Sequence, residues 1–182
     1  MSRRFEDKVM VVTGAAQGIG EAYAKALGAE GAAVVVADLN DDSGERVAKE
    51  IEAAGGRALY VHTDVSSAES AAAMVDRTVR EFDGIDGLVN NAAIYGAMQF
   101  DLLISVDWEY YRKFMSVNMD GALVMTRAVY PQLQSRGGGS IVNQSSTAAY
   151  LYAGFYGLAK VGVNGLTQQL AHDPGGRNIR VK

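Results

Sequence analysis

The chain has 182 residues, of which 17 are basic and 21 acidic, and its formal net charge is −4. Apolar residues make up 48% of it, which excludes disorder and favours one domain over residues 1–182. The lack of cysteine excludes disulfides and cysteine-bound metals, and the mild acidity argues against a nucleic-acid surface. Residues 1–8 are charged and lack the hydrophobic core of a signal peptide. The longest wholly apolar run, 32–37, is too short to span a membrane. We therefore expect a cytoplasmic protein.

Short apolar runs alternate with longer amphipathic segments along the chain. The runs predict strands at residues 9–13, 33–38, 58–62, 87–91, 140–144 and 179–182. The amphipathic segments predict helices at 19–30, 42–54, 67–82, 107–136 and 155–171. Such alternation produces right-handed parallel crossovers. We therefore expect an α/β fold with a doubly wound parallel sheet in three α/β/α layers, whose strands are apolar on both faces because helices cover both sides.

A glycine-rich segment joins the first strand to the first helix. Gly14, Gly18 and Gly20 permit a tight turn and the close approach of a phosphate to bare backbone. The helix that begins near Ile19 directs its N–H groups and its positive dipole end to the same place. The segment therefore predicts the phosphate site of a dinucleotide.

Asp38 ends the second predicted strand, eighteen residues after Gly20. A carboxylate there can accept hydrogen bonds from both hydroxyls of an adenosine ribose, and it would repel a 2′-phosphate. Neither Gln17 nor Leu39 supplies a cation for such a phosphate. This pattern predicts NAD(H) rather than NADP(H). The alternative is that Asp38 only caps a loop.

Five segments together resemble the classical short-chain dehydrogenase/reductase family. The first is Thr-Gly-x-x-x-Gly-x-Gly at residues 13–20. The others are Asp64-Val65, Asn-Asn-Ala-Ala at 90–93 (where the family usually has Gly last), Val-Asn-Met-Asp-Gly at 117–121, and Tyr-x-x-x-Lys at 156–160. The resemblance covers nearly the whole chain and implies a Rossmann-like fold.

The resemblance also implies a role for each matching residue. It implies that Tyr156 is the acid/base, that Lys160 binds the nicotinamide ribose, and that Ser146 holds the substrate oxygen. Asn118 would interrupt its helix and help a water connect Lys160 to solvent. The implied contacts of the cofactor, NAD, are Gly14, Gln17, Gly18, Ile19, Gly20, Asp38, Leu39, Asp64, Val65, Asn91, Ala92, Tyr156 and Lys160.

The chemistry of Tyr156 depends on Lys160. Residues four apart in a helix share one face. A free tyrosine is a poor base at neutral pH, and a nearby ammonium favours its phenolate form. Tyr156 would then take the proton of an alcohol during oxidation and return it during reduction. Hydride passes directly between nicotinamide and substrate carbon, so no metal is expected.

Two features depart from the family pattern. Ser146 precedes Tyr156 by ten residues, a few fewer than usual, so the loop between them must be tight and Ser145 is an alternative to Ser146. The sequence also stops roughly a quarter short of a typical classical member. We therefore expect either a C-terminally truncated fragment that lacks the substrate lobe or a protein that has lost activity. If the chain ends at Lys182, an exposed apolar patch and weak turnover are expected.

The resemblance implies an NAD-dependent oxidoreductase acting on a small or medium secondary alcohol or ketone, with a cyclic compound and an oxoacyl ester as the options. The alternative is a catalytically inactive nucleotide-binding module. Tyr95, Tyr150 and Tyr152 flank the expected site and could line a substrate pocket. Because the helices that begin at Asp107 and after Tyr156 form a dimer contact in the family, a homodimer or homotetramer is expected.

Overall fold

The computed structural model describes residues 3–96, 98–99, 101–173 and 177–182. Its strands are β1 (Val9–Thr13), β2 (Ala33–Asp38), β3 (Arg57–His62), β4 (Gly87–Asn90), β5 (Gly139–Asn143) and β6 (Ile179–Val181). They pair in parallel in the order β3-β2-β1-β4-β5-β6. The chain runs outward from β1 to β3 and then returns to place β4 on the other side of β1. This order confirms the predicted doubly wound sheet.

Helices connect the strands. Four of them lie within two residues of their predicted bounds, whereas the single helix predicted at 107–136 is divided into two by a π-helical turn. The helices are α1 (Gly18–Ala29), α2 (Asp41–Ala53), α3 (Ala68–Phe82), α4 (Trp108–Met115), α5 (Gly121–Ser135) and α6 (Gly154–His172). A π-helical turn, Ser116–Asp120, joins α4 to α5, and a 3₁₀ turn, Thr147–Tyr150, precedes α6. Among the described residues, no helix is both long and apolar enough to cross a membrane.

Side chains of the sheet pack into two separate hydrophobic cores, one on each face of the sheet. In β2, Val34 and Val36 pack toward α1 and α2 with Val47 and Ile51. Val35 of the same strand packs on the opposite side, in the core that contains Met74 of α3 and Leu133 of α5. Successive strand residues point to opposite faces, so an unbroken apolar run fills both cores. The three layers follow from this alternation.

The strand β3 is less buried than the inner strands, although Val61 packs in one core and Ala58 and Tyr60 pack in the other. Its residues are exposed or half-buried, whereas all of β1 is buried. The cause is topological, because β3 is an edge strand with a neighbour on one side only. Tyr60 and His62 use this edge to place polar atoms beside the end of β2.

The strand order reverses between β1 and β4, which opens a crevice at the carboxyl ends of these strands. In open parallel sheets, this crevice is the place where ligands bind. The turns that follow β1, β2, β4 and β5 meet there. The site residues predicted from the sequence lie at the ends of these strands, on the turns that follow β1 to β5, at the start of α1, on the π-helical turn or on α6.

Candidate active site

The turn after β1 presents bare backbone to the crevice. Gly14 and Gly18 adopt positive φ values of 64° and 58°, which glycine tolerates best. A Cβ added to Gly14 would lie 2.7 Å from the Cα of Ala92, whereas the space around Gly18 is open. Gln17 precedes α1 without a capping bond from its side chain, so the first N–H groups of α1 remain directed at the crevice. This arrangement suits an anionic phosphate.

Thr13 ties the turn after β1 to the end of β4. Its Oγ1 accepts hydrogen bonds from the backbone N–H groups of Asn91 and Ala92, both at 3.0 Å. The Asn91 Nδ2 donates to the carbonyls of Thr13 and Gly14 at 3.0 and 3.2 Å. Asn91 therefore shapes the phosphate turn. Thr13 was not among the site residues predicted from the sequence, although its position at the carboxyl end of β1 is where such residues are expected.

Asp38 lies at the carboxyl end of β2, with both carboxylate oxygens hydrogen-bonded to backbone. Oδ2 accepts from the Ala16 N–H at 2.9 Å and Oδ1 from the Asn40 N–H at 3.0 Å. Each carboxylate oxygen has a further lone pair, so the same side chain can order the loop and accept ribose hydroxyls. Leu39 and Ile19 expose 57% and 62% of their surface beside it, which provides apolar area for a flat base.

The turn after β3 is ordered by Asp64. Its Oδ1 accepts hydrogen bonds from the backbone N–H and the hydroxyl of Ser66, at 2.9 and 2.6 Å. The next residue, Val65, is buried and lines a small internal cavity together with Ala92 and Asn118. The predicted Asp64-Val65 pair thus has one polar residue at the turn and one apolar residue inside.

Lys160 is buried, with 4% of its surface exposed, and lies beside the Tyr156 ring. Its Nζ donates to the Gln144 carbonyl at 2.8 Å and lies 5.8 Å from the centre of the Tyr156 ring. Burial lowers the pKa of Lys160. Tyr156 itself is half-buried, and its ring packs against those of Tyr95 and Phe114, with centroid distances of 5.3 and 6.4 Å. The predicted pair therefore shares one face of α6.

Asn118 lies in the π-helical turn, which is the local interruption that the resemblance implied. Its Oδ1 accepts from the Ile94 N–H at 2.9 Å, and its Nδ2 donates to the Ile94 carbonyl at 3.3 Å. It shares with Lys160 and Gln144 a cavity of about 10 Å³, close to the space that one water needs. Asn90 also lines this cavity, and among the described residues its buried Oδ1 is without a protein partner.

Ser145 and Ser146 differ in what their hydroxyls contact. The Ser145 hydroxyl donates to the Asn164 Oδ1 of α6 at 2.6 Å. The Ser146 Oγ accepts from the Ala148 N–H at 3.1 Å and begins the 3₁₀ turn, which keeps its proton available for another acceptor. The turn is tight, as the short spacing required. A Cβ on Gly157, next to Tyr156, would lie 2.8 Å from the Ala148 carbonyl oxygen.

Gln144 was also missed by the sequence analysis. Besides accepting from Lys160 through its backbone, it accepts a 2.9 Å hydrogen bond at Oε1 from the Tyr23 hydroxyl of α1. It thereby joins α1 and α6 across the crevice. Its position directly after β5, at the carboxyl edge of the sheet, was the signal that could have identified it.

The residues present fit a dinucleotide laid across the carboxyl ends of the strands. The α1 N-terminus matches a pyrophosphate, and Asp38 matches a ribose diol. Predicted cofactor residues after β1, β2, β3 and β4 all lie at this edge, where Lys160 and Tyr156 meet them from α6.

Comparison with known proteins places this arrangement in a family. A family model described as short chain dehydrogenase matches residues 8–182. An uncharacterized oxidoreductase of Mycobacterium tuberculosis is 67% identical over 177 residues, covering 97% of this chain and 71% of the relative. The trans-4-hydroxycyclohexanecarboxylate dehydrogenase of Sinomonas cyclohexanicum is 39% identical over 192 residues, covering 100% of this chain and 72% of the relative.

A solved structure shows the same likeness in three dimensions. A dehydrogenase/reductase from Sinorhizobium meliloti 1021 superposes with a TM-score of 0.91 at 34% sequence identity. The match covers 99% of this chain and 71% of that one. The chain belongs to the short-chain dehydrogenase family, whose members are oxidoreductases that use a nicotinamide cofactor.

Proposed function

We propose that this protein is an NAD(H)-dependent oxidoreductase that transfers hydride between nicotinamide and a secondary alcohol or ketone. The observation that carries the proposal is the buried Lys160 beside Tyr156, at the crevice into which Gly18 and α1 present bare backbone. A buried cation next to a phenol is costly for folding, and this cost is understandable where the cation serves chemistry.

Tyr156 acts as the acid/base in this proposal. When bound, the nicotinamide accepts the hydride during oxidation and supplies it during reduction. The Tyr156 phenolate takes the hydroxyl proton of the alcohol, while the Ser146 hydroxyl donates a hydrogen bond to the same substrate oxygen. The Lys160 ammonium stabilises the phenolate and binds the nicotinamide ribose. A proton then leaves toward solvent by way of a water in the cavity beside Asn118.

NAD is the proposed cofactor because Asp38 occupies the end of β2. Both of its oxygens are fixed by backbone N–H groups and retain lone pairs for a ribose diol. A 2′-phosphate would meet this carboxylate at close range and be repelled. Titration of the protein with NADH and NADPH, followed by cofactor fluorescence, tests the choice. Tighter binding of NADPH would contradict it.

The proposed substrate is a cyclic secondary alcohol or the matching ketone. Tyr95 packs against Tyr156 and exposes 64% of its surface, so it forms an aromatic wall next to the reacting oxygen. Such a wall suits a ring of apolar carbon. The relative from Sinomonas cyclohexanicum is named for a hydroxylated cyclohexane ring, which favours the same class.

We also propose that the protein forms a homodimer or homotetramer through α4 and α6. Trp108 exposes 64% of its surface on α4, and Leu158 and Val161 expose 41% and 49% on α6. Exposed apolar side chains of this size on helices are typical of interfaces. Light scattering at micromolar concentration tests this proposal, and a monomer alone would contradict it.

The activity is tested by incubating the protein with NAD and a panel of cyclic and linear secondary alcohols. We expect NADH absorbance to rise with at least one cyclic alcohol. NAD binding without turnover of any alcohol, and without NADH oxidation by the matching ketones, would instead favour a nucleotide-binding module. Because binding and turnover are measured separately, the two functions are distinguished in one preparation.

A further inference from the structure

Four charged side chains link α1 to α2 beside the phosphate turn, and we call Glu21, Lys25, Arg46 and Glu50 the α1–α2 charge cluster. We propose that this cluster is a second determinant of NAD over NADP, because it engages the Arg46 guanidinium that would otherwise receive a 2′-phosphate. The inference rests on the proposed function, in that it assumes the adenosine ribose lies at Asp38.

Within the cluster, the Arg46 guanidinium donates hydrogen bonds to both glutamates. Its Nη1 donates to Glu21 Oε1 at 3.0 Å and to Glu50 Oε1 at 2.9 Å, and its Nη2 donates to Glu21 Oε2 at 3.0 Å. Lys25 completes the cluster through bonds of 2.6 Å to Glu21 and 2.5 Å to Glu50. Two cations and two carboxylates leave no net charge. The guanidinium edge that would bind a phosphate through two parallel bonds is already used by Glu21.

Arg46 is close to Asp38 because both contact the same residue of the phosphate turn. The Ala16 carbonyl accepts from Arg46 Nη2 at 3.2 Å, and the Ala16 N–H donates to Asp38 Oδ2 at 2.9 Å. Cation and carboxylate are thus separated by the backbone of one residue. A phosphate on the ribose hydroxyl nearest to Asp38 would lie within reach of an unengaged Arg46 side chain.

A second basic side chain near Asp38 also has a carboxylate partner. His62 is paired in register with Asp38 on the neighbouring strand, and its Nδ1 lies 2.7 Å from the Asp41 Oδ1. Asp41 also accepts from the Tyr60 hydroxyl. Asp38 is therefore surrounded by basic side chains that already have carboxylate partners. Repulsion by Asp38 and engagement of Arg46 act together against a 2′-phosphate.

The test separates these two contributions with four proteins: wild type, D38N, D38N/E21Q/E50Q, and D38N/E21Q/E50Q/R46Q. Dissociation constants of NADH and NADPH are measured by fluorescence titration at low salt. We expect the two glutamine substitutions to strengthen NADPH binding about tenfold beyond D38N, through charge-assisted bonds to the released guanidinium. NADH affinity should change by less than about twofold, and adding R46Q should remove the gain.

An unchanged ratio of the two dissociation constants, or a gain that persists after R46Q, would overturn the inference. D38N/E50Q covers the case in which the triple variant fails to fold, since Glu50 exposes 44% of its side chain. It should give a smaller gain in NADPH affinity of the same sign, and no gain would count against the proposal. Tighter binding of NADPH than of NADH by the wild type would contradict the proposed cofactor itself. This comparison uses the wild type alone and does not depend on the variants.

Discussion

The Lys160 ammonium lies 5.8 Å from the centre of the Tyr156 ring and is held there by a 2.8 Å hydrogen bond to the Gln144 carbonyl. The bond to a neutral carbonyl leaves the positive charge uncompensated, so its field acts on the neighbouring phenol. Burial strengthens this field by excluding water. The same burial lowers the pKa of Lys160, because removal from water disfavours the charged form.

Replacing Lys160 by Met is expected to separate stability from activity. The substitution removes a desolvated charge and keeps an apolar chain of similar length, so the thermal midpoint should stay equal or rise. Turnover should fall by at least about 100-fold, because the phenolate loses its cation. Thermal unfolding and steady-state kinetics measure the two effects. A large drop in the thermal midpoint with activity retained would contradict the proposed role.

Gly157 is expected to hold the serine turn against Tyr156. Alanine there would bring a Cβ to 2.8 Å from the Ala148 carbonyl oxygen, so the turn that begins at Ser146 must shift. We expect the G157A variant to lose about 10- to 100-fold in kcat, with little change in NADH affinity. G165A on the same helix is the matched control, since its added Cβ has no atom within 4 Å among the described residues beyond the local helix backbone and its chain neighbours. Equal kcat for both variants would refute this prediction.

The Glu21 carboxylate gives the protein a defined dependence of stability on pH. Hydrogen bonds from Arg46 and Lys25 lower the pKa of Glu21 from 4.5 to about 2. A depressed pKa in the folded state stabilises the protein above the unfolded pKa, and this contribution is lost as pH falls through the folded value. The difference in thermal midpoint between wild type and E21Q should therefore have its maximum value above pH 4.5 and decrease as the pH falls toward 2. A difference that is independent of pH would show that the pairing contributes nothing.

Tyr95 is expected to contact the ring of the substrate. Its side chain packs on Tyr156 at a centroid distance of 5.3 Å, whereas Tyr152 is fully exposed. The Y95A variant should raise KM for a cyclic alcohol about tenfold, the effect of losing one to two kcal/mol of apolar contact. Y152A is the control and should change KM by less than about twofold. Equal effects of the two substitutions would argue against an aromatic wall at Tyr95.

Local patterns in the sequence were sufficient to predict the six strands and most of the helices, but not the bounds at which α4 ends and α5 begins. The bounds of β1 and β2 were predicted correctly because their residues are apolar on both faces. The exposure of β3 was not predicted, since it depends on its place at the edge of the sheet. No local sequence pattern shows which strands are neighbours in the sheet. The edge position of β3 is therefore known only from the strand order.

Contacts between distant segments account for the features of the site that the sequence did not reveal. The Tyr23 hydroxyl and Gln144 are 121 residues apart, and Arg46 meets the Ala16 carbonyl across 30 residues. No spacing rule links such pairs. Lys160 and Tyr156 were paired correctly because one helical turn separates them.

The most direct test of the account is the rate of hydride transfer in Tyr156→Phe. The variant and the wild type are mixed with NAD and the best cyclic alcohol of the panel, and NADH formation is followed in a single turnover. We expect unchanged NAD affinity and a rate at least about 100-fold lower, because the substrate proton has lost its acceptor. A rate within about twofold of the wild type would contradict the assignment of Tyr156 as the acid/base.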